Sequence, residues 1–363
     1  MIIRSKAPLR LGLAGGGTDI ASYYRLYGGC ILNAAIDMYA YCVIEPDETG
    51  RVEFVAADLD QRAVYDGSPP LDIAGKLKLH SGVYNRLMAD FGSNDRWRAV
   101  GEQLRRGFKM TTYSDAPAGS GLGSSSTLVV AMLKAYVEWL NLPLGEYDMA
   151  ALAYRIERED LGLAGGKQDQ YAATFGGFNF MEFNADEKVL VNPLRLKRWI
   201  RNELEASLVL YYTGVSRESA NIITQQIAAT TVEAGSTDGN AARAAKNLEN
   251  MHELKRQAVI MKEAILRGDF AGFSQCLRDG WLAKKNSADA ISNPFIDGLH
   301  DFVLEHGAQS AKISGAGGGG FMMVYCDPCH RIRVINSLKK QGGVVMTPSF
   351  TETGTQAWTI YDN

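Results

Sequence analysis

The feature that most constrains this chain is a glycine- and serine-rich stretch that runs without a break into an apolar segment. The stretch consists of Pro117, Ala118, Gly119, Ser120, Gly121, Leu122, Gly123, Ser124, Ser125 and Ser126. In the segment that follows, apolar residues recur with the four-residue spacing of a buried helix stripe, at Leu128, Met132, Tyr136 and Leu140. The sequence therefore predicts a loop that ends at the N-terminus of a buried helix.

This loop is a candidate phosphate-binding site. A helix N-terminus offers unpaired backbone N–H groups and the positive end of the helix dipole, and glycines have no Cβ to keep a polyphosphate away. A flexible loop that only caps the helix is the alternative. That alternative is weakened by the hydroxyls of Ser124, Ser125 and Ser126, which lie where a magnesium ion bridging phosphates needs an oxygen ligand. The loop is not a P-loop, since no lysine follows its glycines.

The bulk properties describe an ordinary soluble protein. With 363 residues, of which 46% are hydrophobic and 22% charged, the chain has the length of two domains and can form a large core. The net charge of −3 argues against a nucleic-acid partner, because there is no basic excess to displace counterions. The N-terminus does not resemble a signal peptide, and no apolar stretch has the length of a membrane helix. We therefore expect a cytoplasmic protein without a membrane partner.

The cysteines predict neither a disulfide framework nor a metal centre. Cys30, Cys42 and Cys276 stand among apolar neighbours, as small core residues do. The run 326–330, Cys-Asp-Pro-Cys-His, matches the pattern of covalent haem attachment, but that attachment requires export and no export signal is present. Zinc would need a second ligand pair at a matching spacing. A turn after a strand, with two reduced thiols, is the favoured interpretation.

The N-terminal segment predicts a strand that ends in a binding turn. Residues 1–13 alternate between apolar and other residues, and the glycine turn 14–17 follows them. Thr18 and Asp19 come next, at a strand end where binding residues commonly lie. Asp19 is suited to cap a helix over residues 20–27, and a capping carboxylate still has lone pairs for the hydroxyls of a ligand.

A second candidate carboxylate follows a predicted helix over residues 147–161. In the turn after that helix, Gly-Gly-Lys falls one residue short of a P-loop and has Gln168 where serine or threonine is required. What remains is Asp169, close to Lys167 and at the start of an apolar segment. From these residues alone, Asp169 is equally well explained as a helix N-cap and as a functional group.

The rest of the pattern indicates an α+β protein. Strands are predicted over 39–45, 52–55, 108–114 and 208–212, with a charged boundary near 193–205, a helix opening after Arg217, a mobile loop over 230–240 and a long amphipathic helix over 251–265. The run 315–320 satisfies G-x-G-x-x-G, yet a short strand-like segment follows it where a dinucleotide fold requires a helix. We interpret that run as a tight turn between two strands, close to the main cleft.

Three glycine motifs in this order resemble those of the GHMP small-molecule kinase family. The first motif covers residues 7–19, the second 117–126 and the third 312–321, with 166–170 as a fourth point of likeness. Within the family, the heptose 7-phosphate kinase branch shares the residue runs 13–19, 156–158 and 171–177. The resemblance implies an N-terminal domain like ribosomal protein S5 domain 2 over residues 1–203. It implies a ferredoxin-like C-terminal domain over residues 204–363, with the active site between the two.

The resemblance also implies residue roles. The second motif would hold the phosphates of ATP, with Ser125 and Glu157 near Mg²⁺, and Asp169 would be the catalytic base. Asp19 would bind the sugar by accepting hydrogen bonds from its hydroxyls. Several members carry an active-site lysine after Ala-Pro where this chain has Arg10, and a guanidinium contributes charge but cannot shuttle a proton. The substrate-binding candidates are Gly17, Thr18, Asp19, Lys167, Arg217, Gly317 and Gly318, of which the cations are candidates for the substrate's own phosphate.

The expected function is therefore transfer of the γ-phosphoryl group of ATP to the anomeric hydroxyl of a heptose 7-phosphate. Two alternatives stay open. One is an anomeric kinase of an unphosphorylated sugar such as L-fucose, and the other is a non-catalytic sugar or nucleotide sensor with the same fold. The expected partners are ATP and a small sugar phosphate, and the sequence leaves the oligomeric state, including a homodimer, undecided.

Overall fold

The computed structural model describes residues 1–92, 95–214, 222–224 and 238–361. The strands are β1 (Ile2–Ala14), β2 (Gly29–Pro46), β3 (Val52–Ala56), β4 (Gln61–Tyr65), β5 (Phe108–Ser114), β6 (Phe178–Phe183), β7 (Val189–Pro193), β8 (Leu208–Tyr212), β9 (Ala308–Ile313), β10 (Phe321–Cys326), β11 (Val344–Met346) and β12 (Gln356–Ile360). The helices are α1 (Ala21–Tyr27), α2 (Lys78–Leu87), α3 (Arg98–Arg106), α4 (Ser124–Leu140), α5 (Glu146–Arg155), α6 (Gln168–Phe175), α7 (Arg198–Ser207), α8 (Asp238–Arg267), α9 (Phe270–Lys285), α10 (Pro294–Glu305) and α11 (Pro328–Leu338).

A large mixed sheet forms the first half of the molecule. Its strand order is β12-β1-β2-β5-β3-β4, with β6 added to β2 and β7 to β6, and the β3–β5 pair is parallel. Strand β2 is long enough to serve two partners, because its first part pairs with β6 and its second part with β5. The predicted strand 39–45 is this second part. The first part was missed because residues 29–36 are buried throughout and show no alternation.

Helix α4 packs on this sheet, as its apolar stripe predicted. Met132, Tyr136 and Leu140 are buried in the core together with the neighbouring Val130 and Leu133. Nearly the whole circumference of the helix is apolar, which is typical of a helix enclosed on all sides. The buried side chains fix the helix in place, and its N-terminus is thereby held at one end of the sheet.

A second, four-stranded sheet of order β11-β8-β10-β9 forms the other half, and all its pairs are antiparallel. The predicted strand 208–212 is β8, and the predicted amphipathic helix 251–265 lies within α8. The predicted turn between strands at 315–320 connects β9 to β10. Of the helix expected after Arg217, only residues 222–224 are described, and they are helical. Of the loop expected over 230–240, only residues 238–240 are described, and they begin α8 instead.

The last strand departs from the predicted division at residue 203. Strand β12 pairs antiparallel with β1, from Ile2–Ile360 to Lys6–Gln356, so the end of the chain belongs to the first sheet and not to the second. The division itself stays a prediction, and it falls inside α7. The departure has a simple cause, since β12 covers the edge of β1 that would otherwise be unpaired.

The cysteines lie where small core residues are expected. Cys30, Cys42, Cys276 and Cys326 are buried, Cys329 is exposed, and none is in a disulfide within the described part of the chain. Asp327 caps α11 by accepting a hydrogen bond from the backbone N–H of Cys329, so the run 326–330 is a strand end that turns into a helix. Among the described helices, none combines the length and the apolar character that crossing a membrane requires.

Candidate active site

A cleft of about 550 Å³ opens where the N-terminus of α4, the turn after β1, the start of α6 and the turn between β9 and β10 meet. Its lining includes cations, carboxylates and a large share of glycines. The lining residues with roles below are Arg10, Gly17, Asp19, Gly121, Ser125, Glu157, Arg158, Asp169, Lys284 and Gly315. Three of the sequence motifs thus lie around one space.

The second glycine motif forms the wall at the start of α4. The N-cap residue is Gly123, with φ of 79°, and no side chain caps the helix. Gly119 and Gly121 also have positive φ values, a conformation that suits glycine. The first N–H groups of a helix have no partner within the helix, so this terminus presents free donors and a positive dipole end to the cleft.

Not every residue of this loop reaches the cleft. Ala118, Gly119, Gly121, Gly123, Ser124, Ser125 and Ser126 line it. Ser120 and Leu122 are buried beneath the loop, and Leu122 belongs to the core, while Pro117 is exposed outside the lining. The hydroxyl of Ser125 is on an exposed residue, whereas that of Ser126 is buried and donates to Glu157.

The third motif supports this loop from the side of the second sheet. The hydroxyl of Ser314 donates to the carbonyl oxygen of Gly121 at 3.0 Å, and the backbone N–H of Phe321 donates to that of Ser120 at 2.9 Å. The approach is so close that a Cβ on Gly121 would lie 2.4 Å from the carbonyl oxygen of Ser314. Glycine is therefore required at position 121 by both its φ of 84° and its neighbour.

We expect Gly121→Ala to weaken nucleotide binding and to destabilise the protein. The substitution combines a left-handed alanine with a backbone clash, and a strained residue of this kind costs about 1–3 kcal/mol in the free energy of unfolding. Gly342→Ala is the matched control, because Gly342 has φ of 80°, a Cβ there would meet nothing within 4 Å, and the residue lies outside the cleft. Urea unfolding and a nucleotide titration measure the effects. Equal behaviour of the two variants would contradict the expectation.

Arg10 and Asp169 form an ion pair in the lining of the cleft. The Nε and Nη2 atoms of Arg10 lie 2.8 and 2.7 Å from Oδ1 of Asp169, and Nη1 donates to the carbonyl oxygen of Gly121 at 2.6 Å. The Arg10 side chain is 3% exposed and that of Asp169 is 24% exposed. One guanidinium thus ties the carboxylate to the phosphate-loop backbone. The N-cap interpretation of Asp169 is wrong, because the N-cap residue of α6 is Lys167 and Asp169 lies in the first turn.

Asp19 also lines the cleft, together with Arg10 and Asp169. It does not cap α1, whose N-cap residue is Ile20 and has no side-chain cap. Its carboxylate instead accepts the backbone N–H of Gln168 at 3.0 Å and that of Gly17 at 3.3 Å. Burial raises the pKa of Asp19 above its usual value, the hydrogen bond from Gln168 opposes that shift, and the nearby Asp169 carboxylate adds to it. A Cβ on Gly166 would lie 1.9 Å from Asp19 Oδ2, so this approach also needs a glycine.

Glu157 is the third carboxylate, in a π-helical turn that continues α5. It accepts a hydrogen bond from Ser126 Oγ at 3.0 Å and one from Gln170 Nε2 at 2.5 Å, and Arg158 Nη1 lies 3.8 Å away. Burial raises the pKa of Glu157. The acidic neighbours Glu159 and Asp160 pair with Arg155 and Arg86, away from the cleft lining.

The first turn of α6 connects all three carboxylates, because it contains Asp169 and donates hydrogen bonds to the other two. Gln168 donates its N–H to Asp19, Asp169 pairs with Arg10, and Gln170 donates to Glu157. Consecutive residues of a helix turn point in different directions, so one turn can reach three sides of the cleft. The start of α6 is the part of the chain that links these groups.

The donor chemistry of the cleft fits Mg²⁺. A magnesium ion bound with a nucleotide takes one or two protein oxygen ligands, and phosphate and water oxygens complete its octahedron. The carboxylate of Glu157 and the hydroxyl of Ser125 both line the cleft and are hard oxygen donors of this kind. Over the described ranges, no group of three or more His, Cys, Asp or Glu side chains is arranged to hold a metal ion by itself. The residues therefore suit a metal that arrives with phosphates.

Several predicted binding residues lie elsewhere. Lys167 donates to the Glu187 carboxylate at 2.5 Å and is not part of the cleft lining. Thr18 is buried beneath the turn, where its hydroxyl accepts the N–H of Cys30 at 3.1 Å. Gly317 and Gly318 pack against Ile291, and Gly318 donates its N–H to the carbonyl oxygen of Ile291 at 2.8 Å. Their neighbours Gly315 and Ala316 line the cleft instead. Arg217 lies outside the described residues.

Lys284 is a buried cleft cation that sequence reasoning missed. It lies in the last turn of α9, and its side chain lines the cleft. The signal that could have revealed it is helical spacing, since Leu277, Trp281 and Lys284 share one buried face. A lysine on the buried face of an amphipathic helix is unusual enough to mark a functional position.

Comparisons with known proteins agree with this arrangement. Residues 79–177 match the GHMP kinases N terminal domain family, and residues 261–344 match the GHMP kinases C terminal family. Over 358 residues the chain is 46% identical to the D-glycero-alpha-D-manno-heptose 7-phosphate kinase of Campylobacter jejuni, with 99% of both chains covered.

Two further relatives bear on the sugar. The crystal structure of a D-glycero-D-manno-heptose 1-phosphate kinase from Bacteroides thetaiotaomicron superposes with a TM-score of 0.81 at 44% identity, covering 99% of this chain and 100% of that chain. The L-fucokinase/L-fucose-1-P guanylyltransferase of Bacteroides fragilis is 27% identical over 362 residues, which cover 92% of this chain and 35% of that protein.

Proposed function

This chain belongs to the GHMP kinase family, and from that premise we propose that it transfers the γ-phosphoryl group of ATP to the anomeric hydroxyl of D-glycero-α-D-manno-heptose 7-phosphate. The product is the 1,7-bisphosphate. The observation that carries the proposal is the Arg10–Asp169 pair beside the N-terminus of α4, in the cleft that also contains Asp19 and Glu157. Phosphoryl transfer to a sugar needs an anion site, a proton acceptor and a hydroxyl-binding group within one space.

The N-terminus of α4 would hold the triphosphate. Phosphoryl transfer spreads negative charge over the γ-phosphoryl oxygens, so positioning and charge neutralisation provide most of the rate enhancement. The free N–H groups at Ser124–Ser126 and the guanidinium of Arg10 supply positive charge at that point. Glu157 and Ser125 would hold Mg²⁺, which when bound adds charge neutralisation between the phosphates.

Asp169 would accept the proton of the anomeric hydroxyl, which is the most acidic hydroxyl of a sugar. Arg10 occupies Oδ1 of this carboxylate, so Oδ2 is the oxygen left to face the acceptor. A base within hydrogen-bond reach of the proton it removes is the geometric requirement for this role. Asp19, which accepts two backbone N–H groups, retains lone pairs for a second sugar hydroxyl.

The acceptor sugar is tested by comparing candidates under identical conditions. The names of the two similar heptose kinases differ in the position of the phosphate, so heptose 7-phosphate, heptose 1-phosphate and free heptose belong in the assay. L-Fucose is included because of the 27% identical fucokinase. We expect ADP release with heptose 7-phosphate at a kcat/KM at least about 100-fold above that with any other sugar. A preference for one of the others would replace the proposed substrate.

If none of the tested sugars supports catalysis, the sensor alternative is favoured. Binding of ATP without ADP release for any of the sugars is the result that this alternative requires. We further propose that the protein acts in the cytoplasm, where ATP and sugar phosphates are its partners. A homodimer stays a prediction that sedimentation equilibrium would test.

A further inference from the structure

Lys284 brings a further cation to the cleft, from the helix that packs on the second sheet. The residue is 5% exposed and lines the cleft. Its ammonium donates to the carbonyl oxygen of Gly315, and a Cβ on Gly16 would lie 3.6 Å from its Nζ. The ammonium is therefore held between the turn that follows β1 and the turn that precedes β10. It bridges elements from the two halves of the molecule.

The charges around Lys284 place it close to the reacting groups. The pKa of Lys284 is lowered to about 8, mainly by burial and in smaller part by the Arg10 guanidinium, while the carboxylates of Asp19 and Asp169 act in the opposite direction. All three of these residues line the cleft. Lys284 is thus a neighbour of the proton acceptor and the sugar-binding carboxylate, and does not stand at the outer rim.

The positive charge of Lys284 is not neutralised by its hydrogen-bond partner. Arg10 is neutralised by Asp169, whereas the ammonium of Lys284 is hydrogen-bonded to a neutral carbonyl group. A buried cation held by a carbonyl dipole is poorly compensated, and an incoming anion relieves that imbalance.

The position of Gly315 indicates which anion this is. A Cβ on Gly315 would lie 2.6 Å from Cα of Gly121, so the carbonyl group that holds Lys284 belongs to a residue packed on the phosphate loop. Arg10 donates to the carbonyl oxygen of the same Gly121. The two cations are therefore both anchored to the phosphate loop, Arg10 through Gly121 itself and Lys284 through the residue packed on it, so a phosphate bound by this loop is the anion that both can reach.

We propose that Lys284 contacts the phosphoryl group during its transfer and neutralises part of the charge on its oxygens. This inference rests on the proposed function. In the step, the bond between the γ-phosphorus and the β–γ bridging oxygen breaks while a bond from the γ-phosphorus to the anomeric oxygen forms. The proton of the anomeric hydroxyl passes to Asp169, ADP leaves with the electron pair of the broken bond, and Lys284 keeps its protons throughout.

The test compares Lys284→Met with Lys285→Met. Lys285 is the adjacent residue on the same helix end, and its ammonium pairs with Asp297 at 2.8 Å, outside the cleft lining. We expect Lys284→Met to lower kcat about 10²–10³-fold, the usual effect of removing one donor that stabilises transition-state charge. The KM values for ATP and sugar should change less than about threefold, because the contact forms fully only during transfer. Lys285→Met should keep wild-type kcat.

Two comparisons separate this role from others. If Lys284 held the substrate's own phosphate, Lys284→Met would raise KM for heptose 7-phosphate and leave turnover of free heptose unchanged, which would overturn the proposal. An equal fall in kcat on both sugars supports it. Lys284→Arg should recover part of kcat, and Lys284→Gln replaces the methionine variant if that variant fails to fold, as judged by circular dichroism.

The pH profile gives a readout that a structural role would not move. The groups that face Lys284 are Arg10 on β1, Asp19 after β1, Asp169 on α6 and the buried Lys312 on β9. Since Lys284 is charged below about pH 8 and neutral above it, kcat/KM should fall as the pH rises through that value. In Lys284→Arg the falling limb should move to higher pH. A limb that stays in place would contradict the proposal.

The affinity for ADP with aluminium fluoride distinguishes failure of this inference from failure of the proposed function. This mimic of the transferring phosphoryl group can be measured by fluorescence or calorimetry whichever sugar is the substrate. Lys284→Met should weaken its binding at least about tenfold relative to wild type and leave ADP alone unchanged. Unchanged binding of the mimic would overturn the inference even if heptose 7-phosphate is the substrate. Weakened binding of the mimic would support the inference even if another sugar is the substrate.

Discussion

Asp169→Asn is expected to retain ATP binding and to lose about 10²–10⁴-fold in kcat, the usual contribution of a positioned base. The amide has nearly the shape of the carboxylate and can still accept a hydrogen bond from Arg10, so the fold and the phosphate loop should remain in place. It cannot take up the proton of the anomeric hydroxyl. Initial rates of ADP release and a nucleotide titration on the same preparation check both parts of the expectation.

The control for this substitution is Asp186→Asn. Asp186 is a half-exposed carboxylate in the turn between β6 and β7, where it pairs with Lys188 at 2.7 Å. Its variant should show wild-type kcat. If Asp169→Asn retained kcat within about tenfold of wild type, the assignment of Asp169 as the base would have to be abandoned.

Arg10→Met should lower kcat by about 10³-fold or more, the scale on which an arginine stabilises the charge of phosphoryl transfer. Removing the guanidinium leaves the Asp169 carboxylate and the carbonyl oxygen of Gly121 without the group that joins them. The base and the phosphate loop would then lose their common anchor. Steady-state kinetics with both substrates measure the loss, and the melting temperature reports whether the fold survives.

Arg10→Lys separates charge from geometry. Lysine restores the positive charge but offers one ammonium in place of the planar fork that contacts two partners. We expect the kcat of Arg10→Lys to lie between those of the methionine variant and the wild type. The fold-change in kcat should be larger than the fold-change in the KM for ATP. Full activity of Arg10→Lys would show that the fork geometry is dispensable. Arg62→Lys is the control, because Arg62 forms an exposed pair with Glu53 on β3.

The sequence was most informative where local pattern and function coincide. The loop at 117–126, the helix that follows it and the strand over residues 1–13 have the predicted structure, because glycine content and apolar periodicity are local properties. The candidate residues Arg10, Asp19, Glu157 and Asp169 line one cleft, although they come from different parts of the chain. Their convergence followed from the order of the motifs and not from any one of them.

The errors have a common physical cause. Asp19 was expected to cap its own helix, but a tertiary hydrogen bond from Gln168 takes its carboxylate instead. Lys167 was a candidate for the substrate's phosphate, yet successive residues of a turn face different ways and its partner is Glu187. Lys284 is distant in sequence and was overlooked. Spacing along the chain does not report which side of a turn a side chain occupies, nor which remote element it meets.

The same limit applies to pairing between distant strands. The alternation in residues 356–360 gives no indication that this segment returns to β1, at the opposite end of the chain. The first part of β2 was missed because burial on both faces removes the alternation that marks a half-exposed strand. These contacts depend on the assembled sheet and become visible only in the structure.

The first turn of α6 has a consequence for how substitutions combine. Because Gln168, Asp169 and Gln170 are consecutive residues of one rigid turn, any displacement of the helix moves the contacts to Asp19, Arg10 and Glu157 together. Free-energy changes at these six positions will therefore not be additive, and double-mutant cycles should give coupling energies well outside the range of about 0.3–0.5 kcal/mol found for independent sites. Residues around the cleft that never touch one another are thus expected to vary as one thermodynamic unit.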